Sequence, residues 1–467
     1  MHNRRDQVHA HGFMVGRLVS ALLRADPDMA VPPLRRSWSG LIIGAIVAAL
    51  AVAGFAVLAV VSPGGASAWR KPGTLILDKE TGTRFVLAGG RLRPVLNYAS
   101  ARLLLGAKLT VDSVSAKSLA DVPRGGPVGI DGAPDSLPAA GASGPWFACA
   151  TSTGAKPALS LTIGVASAAD QGRPLGPEQA VLVRITDGTT YLVTGGRRLR
   201  VTAPWVTRAL GFPDDAAIGV RDAWIDTLPA GPDLPPPPTS GIGRDGPALD
   251  GHAAKVGEVF AVQGAGAGRR LYLLTSGGLQ PMTQTAAALA LADPATAKAY
   301  PGGTAGARDL SPAAVAASTV LSAPVWESQL PATPPTLDAT AGGRMPCVRS
   351  VPRGGRVTTS VVTTPATQVT ASTAVAGTAP ADARAADRVQ VAPKAGLLAR
   401  TLPAPGVPGE GLYLVTEDGA KFPVADDAAA TALGYSTSAA VAVPADLLAL
   451  LPTGPVLRTL GSGGGGG

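Results

Sequence analysis

The sequence predicts a single-pass membrane protein whose outer part is mixed α/β, with a central β-rich domain and four small peripheral β-hairpin/helix repeats. Three observations predict it. One long apolar run, Leu41 to Val61, carries no charged or polar side chain. Four strings beyond it share one strand–turn–strand–helix pattern. The two cysteines fall one in each of the two long stretches between repeats.

Composition narrows the function classes. Charged residues make up 15% of the 467, below the ~25% usual in globular proteins. The 59 Gly and 43 Pro are spread among apolar segments, which excludes collagen and wholesale disorder. A net charge of +8 is too small for a nucleic-acid footprint on so long a chain, so no nucleic-acid partner is expected. Four His and two Cys leave few ligands for a metal or cluster, and no metal or cofactor is expected.

Leu41–Val61 reads LIIGAIVAALAVAGFAVLAVV. At 1.5 Å per residue it spans roughly 30 Å, the thickness of a bilayer core. Arg35 and Arg36 precede it, while the other flank, SPGGASAW, is uncharged up to Arg70. The positive-inside rule places the N-terminus in the cytoplasm and about 400 residues outside. Trp69 reads as an interfacial anchor, beside Arg35 and Arg36 as membrane-interface residues. A cleaved signal at Ala66-Ser67-Ala68 is the alternative; the length of the arm before the apolar run argues against it. The Arg35-Arg36 pair is only a weak twin-arginine signal. In the arm, Asp6 to Arg24 places Val8, Phe13, Val15, Leu18, Val19, Leu22 and Leu23 at roughly helical spacing, which predicts an amphipathic helix. His9 and His11 read as surface residues.

The four repeats are Arg84–Gly106, Thr190–Gly211, Leu271–Ala292 and Leu412–Gly434. In each, a short strand with an aromatic leads to a tight turn, a second strand and a helix. Gly89-Gly90, Gly195-Gly196 and Gly277-Gly278 supply turns where positive φ is cheap, and Gly419 does so in the fourth. Pro94, Pro281 and Pro423 follow or end the second strand. Gly106, Gly211 and Gly434 sit where a helix C-terminal glycine belongs. The equivalent positions Val86, Val193, Leu274 and Val415 are unevenly spaced, which argues for repeats set around inserted material rather than a solenoid.

Cys149 and Cys347 stand far apart in the chain, one in each insertion. Outside the membrane a single intrachain disulfide is the simplest pairing, with intermolecular and free-thiol states as alternatives. The insertions read β-like in ALSLTIGV and RVTTSVVTT. The expected organisation begins with a cytoplasmic arm (1–40), a transmembrane helix (41–61) and repeat 1 (62–120). The first segment of the central domain (121–177), repeat 2 (178–230) and a Pro/Gly-rich linker (231–255) follow. Repeat 3 (256–305), the second segment of the central domain (306–405), repeat 4 (406–460) and a disordered Gly-rich tail (461–467) complete it. The linker holds the spacer Pro235–Pro238, and Thr373–Asp387 reads as a loop.

Catalytic motifs are missing. No GxxxxGK[ST], GxSxG, HExxH or CxxC occurs. Gly106 to Thr110 reads as a turn leaving a helix, and His252 as solvent-exposed. Asp426 and Asp427 open a helix, where carboxylates favour the dipole. Arg84, Arg91, Arg93, Arg197, Arg198 and Arg200 read either as a site for an anionic polymer or acidic partner, or as solvated strand edges.

The strings RRDQVHAHGFMVGRLVSALLR, PLRR, WRKPGTLILDKETGTRFV and LRPVLNYASARLLLG resemble the EccB family of actinobacterial type VII (ESX) secretion systems. The resemblance covers essentially the whole chain and is strongest in its N-terminal part, up to the end of the first repeat. It implies an inner-membrane structural subunit, with a central β domain bridged by a Cys149–Cys347 disulfide and four repeats outside. The implied partners are the EccC motor ATPase, EccD and EccE, further copies of the chain, and the mycosin protease. Arg4 to Arg24 would contact EccC or EccD near the inner face. The repeats are similar to cell-wall-binding folds of a phage lysin, so a membrane-tethered module contacting peptidoglycan is the alternative. Some members carry an ATPase label; the missing motifs argue against an enzyme here.

Overall fold

The computed structural model describes residues 4–24, 34–61, 68–139, 144–153, 156–164, 172–213, 215–235, 239–264, 268–338, 343–353, 355–366, 384–404 and 406–461. In the first two helices, side chains are described over 6–19, 21–22 and 40–56. The side chains of Arg35 and Arg36, Pro236 to Pro238, most of the 373–387 loop and nearly all of the tail therefore lie outside the described residues. Contacts divide the chain into two compact units. One holds Met1–Lys71, Ile76–Gly82 and Asp112–Asp121, and the other holds the rest.

In the first unit, helix α1 (Arg4–Arg24) leaves Val8, Phe13, Met14, Leu18 and Leu22 at least 60% exposed. Helix α2 (Leu34–Val61) contains the apolar run. Among the described residues no helix is long and apolar enough to cross a membrane. Trp69 corrects the sequence reading. It is 1% exposed, and the Arg70 guanidinium lies 4.7 Å from its ring centroid. A ring so enclosed has no face left for lipid headgroups, so it is a core residue and not an interfacial anchor.

The four modules share one plan, larger than the hairpin and helix visible in the sequence. Module 1 runs β1 (Thr74–Asp78), β2 (Arg84–Ala88), β3 (Arg91–Pro94), α3 (Tyr98–Leu105), β4 (Thr110–Val114) and α4 (Ala116–Leu119). Two central hairpin strands follow, β5 (Trp146–Thr153) and β6 (Lys156–Ile163), then β7 (Arg173–Pro174). Module 2 runs β8 (Gln179–Arg184), β9 (Thr190–Thr194), β10 (Arg197–Val201), α5 (Trp205–Ala209), β11 (Ile218–Gly219) and α6 (Asp222–Asp226). Module 3 runs β12 (Val259–Gly264), β13 (Gly268–Thr275), β14 (Gly278–Met282), α7 (Gln284–Ala292), β15 (Arg308–Asp309) and α8 (Pro312–Ala316). After β16 (Thr336–Leu337) come the second central hairpin, β17 (Arg344–Arg353) and β18 (Arg356–Pro365), and β19 (Arg388–Val391). Module 4 runs β20 (Leu397–Leu402), β21 (Leu412–Val415), β22 (Lys421–Val424), α9 (Asp427–Leu433), β23 (Val441–Pro444) and α10 (Ala445–Ala449).

Every module sheet has the order third, second, first, fourth strand. The sequence-based boundaries move accordingly. Arg308–Asp309, Pro312–Ala316 and Leu397–Leu402, expected in the central domain, belong to modules 3 and 4. The expected linker is partly folded, because Leu249 and Ala254 are buried with Phe260, Val262 and Leu274 of module 3. Past its last helix the chain then lies parallel along the third strand as a strap. Leu92 bridges Arg124 and Val95 bridges Val128; Arg198 bridges Ala230 and Val201 bridges Leu234; Lys421 bridges Thr453 and Val424 bridges Leu457. Pro94 and Pro423 face this strap, and their carbonyls accept from Val128 and Leu457 at 2.8 and 2.7 Å. Only a carbonyl is used there, so a residue without an N–H fits.

The central sheet has the order β19-β6-β5-β17-β18-β7. It reads alike from either end when β5 exchanges with β17, β6 with β18 and β7 with β19. Each half of the outer part is thus module, hairpin, module. The symmetry is approximate: β19 runs parallel to β6, whereas β7 runs antiparallel to β18. At the middle, Cys347 lies opposite Cys149. Their Cα atoms are 4.0 Å apart and the sulfurs are bonded, a spacing of the close, non-hydrogen-bonded kind of antiparallel pair.

Alternation along β5 separates two faces. Phe147 and Cys149 join Cys347 and Val362 on one. Trp146, Ala148 and Ala150 join Val348 and Val361 on the other, in the largest core. That core is closed by Trp224, Ile225 and Leu228 from module 2 and by Leu447, Leu448, Leu450 and Leu451 from module 4. The Trp224 indole is fully buried and donates to the Ala148 carbonyl at 3.0 Å.

We predict that Trp224→Ala lowers stability by about 3–5 kcal/mol, read as a fall in denaturation midpoint. An unchanged midpoint would contradict the packing described. Replacing both cysteines by alanine is expected to lower stability by about 2–5 kcal/mol while far-UV circular dichroism keeps its native shape, because the β5–β17 ladder remains. A denatured spectrum would show that the bridge, not the ladder, holds the sheet.

Candidate functional site

The residues that carry assembly are those joining modules to the hub and to each other. α6 and α10 occupy equivalent places in modules 2 and 4, and charge ties both to one segment. The Arg384 guanidinium reaches Asp226 of α6 at 3.0 Å and Asp446 of α10 at 3.1 Å. Arg221 reaches Asp387 at 2.9 Å, and Asp387 also accepts from the Leu159 amide of β6 at 2.7 Å. These pairs are partly exposed, so each adds little stability alone. Lys421 is 7% exposed, and its ammonium donates to the Leu448 and Leu451 carbonyls at 2.7 and 2.9 Å. It serves the C-terminal end of α10, where a cation and its donors are favoured.

The outer modules attach to the inner ones through their first helices. Ala99 and Leu103 of α3 pack with Ala429, Ala430 and Leu433 of α9. Tyr435 donates to the Pro138 carbonyl at 2.6 Å, and burial pushes its phenol well above the ordinary tyrosine range. Val206 of α5 packs in one core with Leu289 of α7. Module 1 therefore meets module 4, and module 2 meets module 3, as the approximate two-fold requires.

The predicted turn residues divide. Gly89-Gly90 and Gly195-Gly196 all have positive φ, between 56° and 74°, as a two-residue hairpin needs. Gly419, Gly106, Gly211 and Gly434 also lie at positive φ, and Gly434 caps α9 in the left-handed region. Gly277 does not have positive φ. In module 3 the positive φ belongs to Gly278, at 136°, and a Cβ there would sit 2.3 Å from the Thr319 carbonyl. Gly278 thus serves the strap's approach rather than the turn. Asp426, read from the sequence as a carboxylate favouring the helix dipole, accepts from the Ala429 amide at 2.7 Å and so caps α9. His252 is exposed.

The arginines are not one site. Arg84 pairs with Asp135, and Arg198 with Asp226. Arg91 and Arg93 donate to the strap carbonyls of Arg124 and Gly126 at 3.4 and 3.0 Å, and Arg197 to that of Ala230 at 3.4 Å. Arg91, Arg93 and Arg197 thus hold straps to hairpins. Among the described residues no group of three or more His, Cys, Asp or Glu converges as a metal site would. Sequence reading missed the straps, Lys421 and Arg384. The recurring Pro-x-Gly before a Val or Leu, at Pro123–Val128, Pro229–Leu234 and Pro452–Leu457, was the signal available for the straps.

Comparison with known proteins agrees with this architecture. The chain is 28% identical over 474 residues to the ESX-3 secretion system ATPase EccB3 of Mycolicibacterium smegmatis, covering 97% of this chain and 89% of that one. It is 29% identical over 480 residues to the ESX-5 secretion system ATPase EccB5 of Mycobacterium tuberculosis, covering 97% and 91%. A chain of an intact ESX-5 inner membrane complex matches with TM-score 0.69 and 26% identity over 98% of this chain and 94% of that one. The EccB3 dimer from the ESX-3 core complex matches with TM-score 0.66 and 26% identity over 82% and 98%. The profile of the type VII secretion system ESX-1 transport TM domain B family, EccB, matches residues 2–460, and the chain belongs to that family.

Proposed function

We propose that the chain is a structural subunit of a type VII secretion inner-membrane complex, working by assembly and not by bond-making. The observation that carries this is the match along nearly the whole chain to a subunit solved inside an intact ESX-5 inner membrane complex. The module pairs, each buried against a neighbour, suit a scaffold. α2, with its backbone helix of 28 residues, about 42 Å at 1.5 Å per residue, is the single span, with α1 in the cytoplasm and both cysteines outside. The exposed apolar residues of α1 are the surface for a cytoplasmic partner such as an EccC- or EccD-like chain. EccE-like chains, a mycosin protease and further copies of the chain complete the partner set; the EccB3 dimer supports self-association in this family. Relatives are named ATPases, but the sequence holds no GxxxxGK[ST] string to support hydrolysis.

Affinity-tagged full-length chain, extracted in detergent, is expected to migrate in a megadalton-scale species containing EccC-, EccD- and EccE-like chains. Migration as one or two chains alone would overturn the assembly reading. ATP turnover that persists after removal of the motor would overturn the non-enzymatic one. Ala51→Arg, at the middle of α2, adds about 2.5–3.5 kcal/mol to membrane insertion. It is expected to move the chain out of the carbonate-washed membrane fraction; full retention would contradict the single span.

A further inference from the structure

Module 3 is unlike the other three at one place. Where modules 1, 2 and 4 have two strap bridges each, module 3 has one, Leu279 to Val320, among the described residues. In the complete modules the strap ends on a buried plug, Val128, Leu234 or Leu457, at 5%, 1% and 0% exposure. The plug's amide donates to the third strand's carbonyl, Pro94, Arg200 or Pro423, at 2.7–2.8 Å. Its carbonyl accepts from Leu96, Thr202 or Ala425 at 2.7–3.1 Å. The corresponding stretch of module 3 is Thr319–Pro324, and proline there has no N–H to give. Pro324, in the plug's place, is half-buried, and Val325 after it is 81% exposed.

Two consequences are visible. The Glu327 carboxylate, 3% exposed, accepts from the Thr283 amide, standing in for the missing plug carbonyl. The Pro281 carbonyl faces the same edge as Leu279, whose amide and carbonyl both bond to the strap, because strand residues two apart point alike. No described group donates to it. Beside it lies a cavity of about 320 Å³, lined by Leu273, Gln280, Met282, Ala286, Leu289 and Ala290 among others. Leu273, Met282, Ala286 and Ala290 stand where module 4 has Leu414, Val424, Ala429 and Leu433, which share one core with Leu457. The cavity lies where the plug lies in the other modules, and Pro324, which holds the plug's place in the chain, lines it together with Trp326.

We propose that this site is a docking slot for an extended segment of a partner protein, of the Pro-x-Gly-Pro-x-Leu kind that fills the equivalent place in modules 2 and 4. The plug side chain enters the cavity, and its amide pairs with the Pro281 carbonyl. The occupant's chemistry is given by the chain's own three straps. A cavity of this size exceeds the ~150 Å³ pocket known to hold a benzene. The carboxylates of Asp293, which lines the cavity, and Glu327 favour a segment with a basic residue, such as the Arg458 that follows Leu457. This is strand addition to a sheet edge, in which backbone bonds supply affinity and a pocket supplies specificity. The inference stands apart from the secretion-complex reading, and either can fail without the other.

The test is binding of a fluorescein-labelled peptide, Leu-Leu-Pro-Thr-Gly-Pro-Val-Leu-Arg-Thr, to detergent-purified full-length chain by fluorescence anisotropy. Ala290→Leu fills the cavity and is expected to weaken binding at least tenfold while raising the melting temperature. A peptide with N-methyl-leucine at the plug position, which lacks the amide donor, is expected to bind at least tenfold more weakly to the unaltered chain. A benzoylphenylalanine at that position is expected to crosslink to the strand Gly278–Met282 or the helix Gln284–Ala292, which keeps the test decisive should A290L not fold. No binding at millimolar peptide, or binding with crosslinks elsewhere, overturns the proposal. Chain dimerisation abolished by A290L, with no peptide binding, would place a second copy in the slot and also overturn it.

Discussion

β5 and β17 meet antiparallel at Cys149 and Cys347, and the placing of every other outer element follows from that meeting. The strands come from stretches 198 residues apart, so their pairing closes a long loop, slow to form and costly in chain entropy. The disulfide removes much of that cost by restricting the unfolded chain. Once the pair is made, the face carrying Trp146, Ala148, Val348 and Val361 is closed by helices from modules 2 and 4. Trp224 reaches the Ala148 carbonyl on that face, so module 2 is docked by a directional contact as well as by area.

The modules explain why the hub must exist. Each four-stranded sheet with two short helices is too small to bury a sufficient core alone. Modules 1 and 4 share one core, and modules 2 and 3 join through another. Modules 2 and 4 in turn share the core over the central sheet. The strap adds what a small sheet lacks, a covered edge, since an open third strand would expose unpaired carbonyls and amides. Module 3 keeps part of that edge open, with a carboxylate in the place of a backbone carbonyl. Local incompleteness in an otherwise regular set is where a partner's contribution is to be sought.

The hairpins and their helices were legible because tight glycine turns and short helices with glycine after them are local signals. Tyr98–Leu105, with Gly106 after it, follows directly from such signals. The fourth strand and the strap were not legible, because strands as short as two residues, Ile218–Gly219 and Arg308–Asp309, carry no period and a Pro- and Gly-rich stretch reads as loop. Its parallel pairing with a strand well upstream in the chain is a tertiary fact. The two-fold was half visible, in that both insertions carried one cysteine, but the exchange of β7 and β19 between halves is not encoded in any local pattern. Trp69 misled because an aromatic beside Arg70 and Lys71, at the end of an apolar run, satisfies the interfacial pattern whether or not its ring is enclosed. The arginines misled in the same way: their spacing shows charge, and only the fold shows which carbonyls and carboxylates they hold.

The central claim is that the β5–β17 pair is the most stable part of the outer region and that modules 2 and 4 depend on it together. Amide hydrogen exchange on the detergent-purified full-length chain, with and without reduction of the disulfide, measures this directly. The account predicts slowest exchange at 147–149 and 347–349. On reduction, α6 and α10 should gain exchange in parallel, while the Gly89-Gly90 turn is unchanged. Exchange at β5 and β17 as fast as in module 3, or loss of protection in only one of α6 and α10, would contradict it.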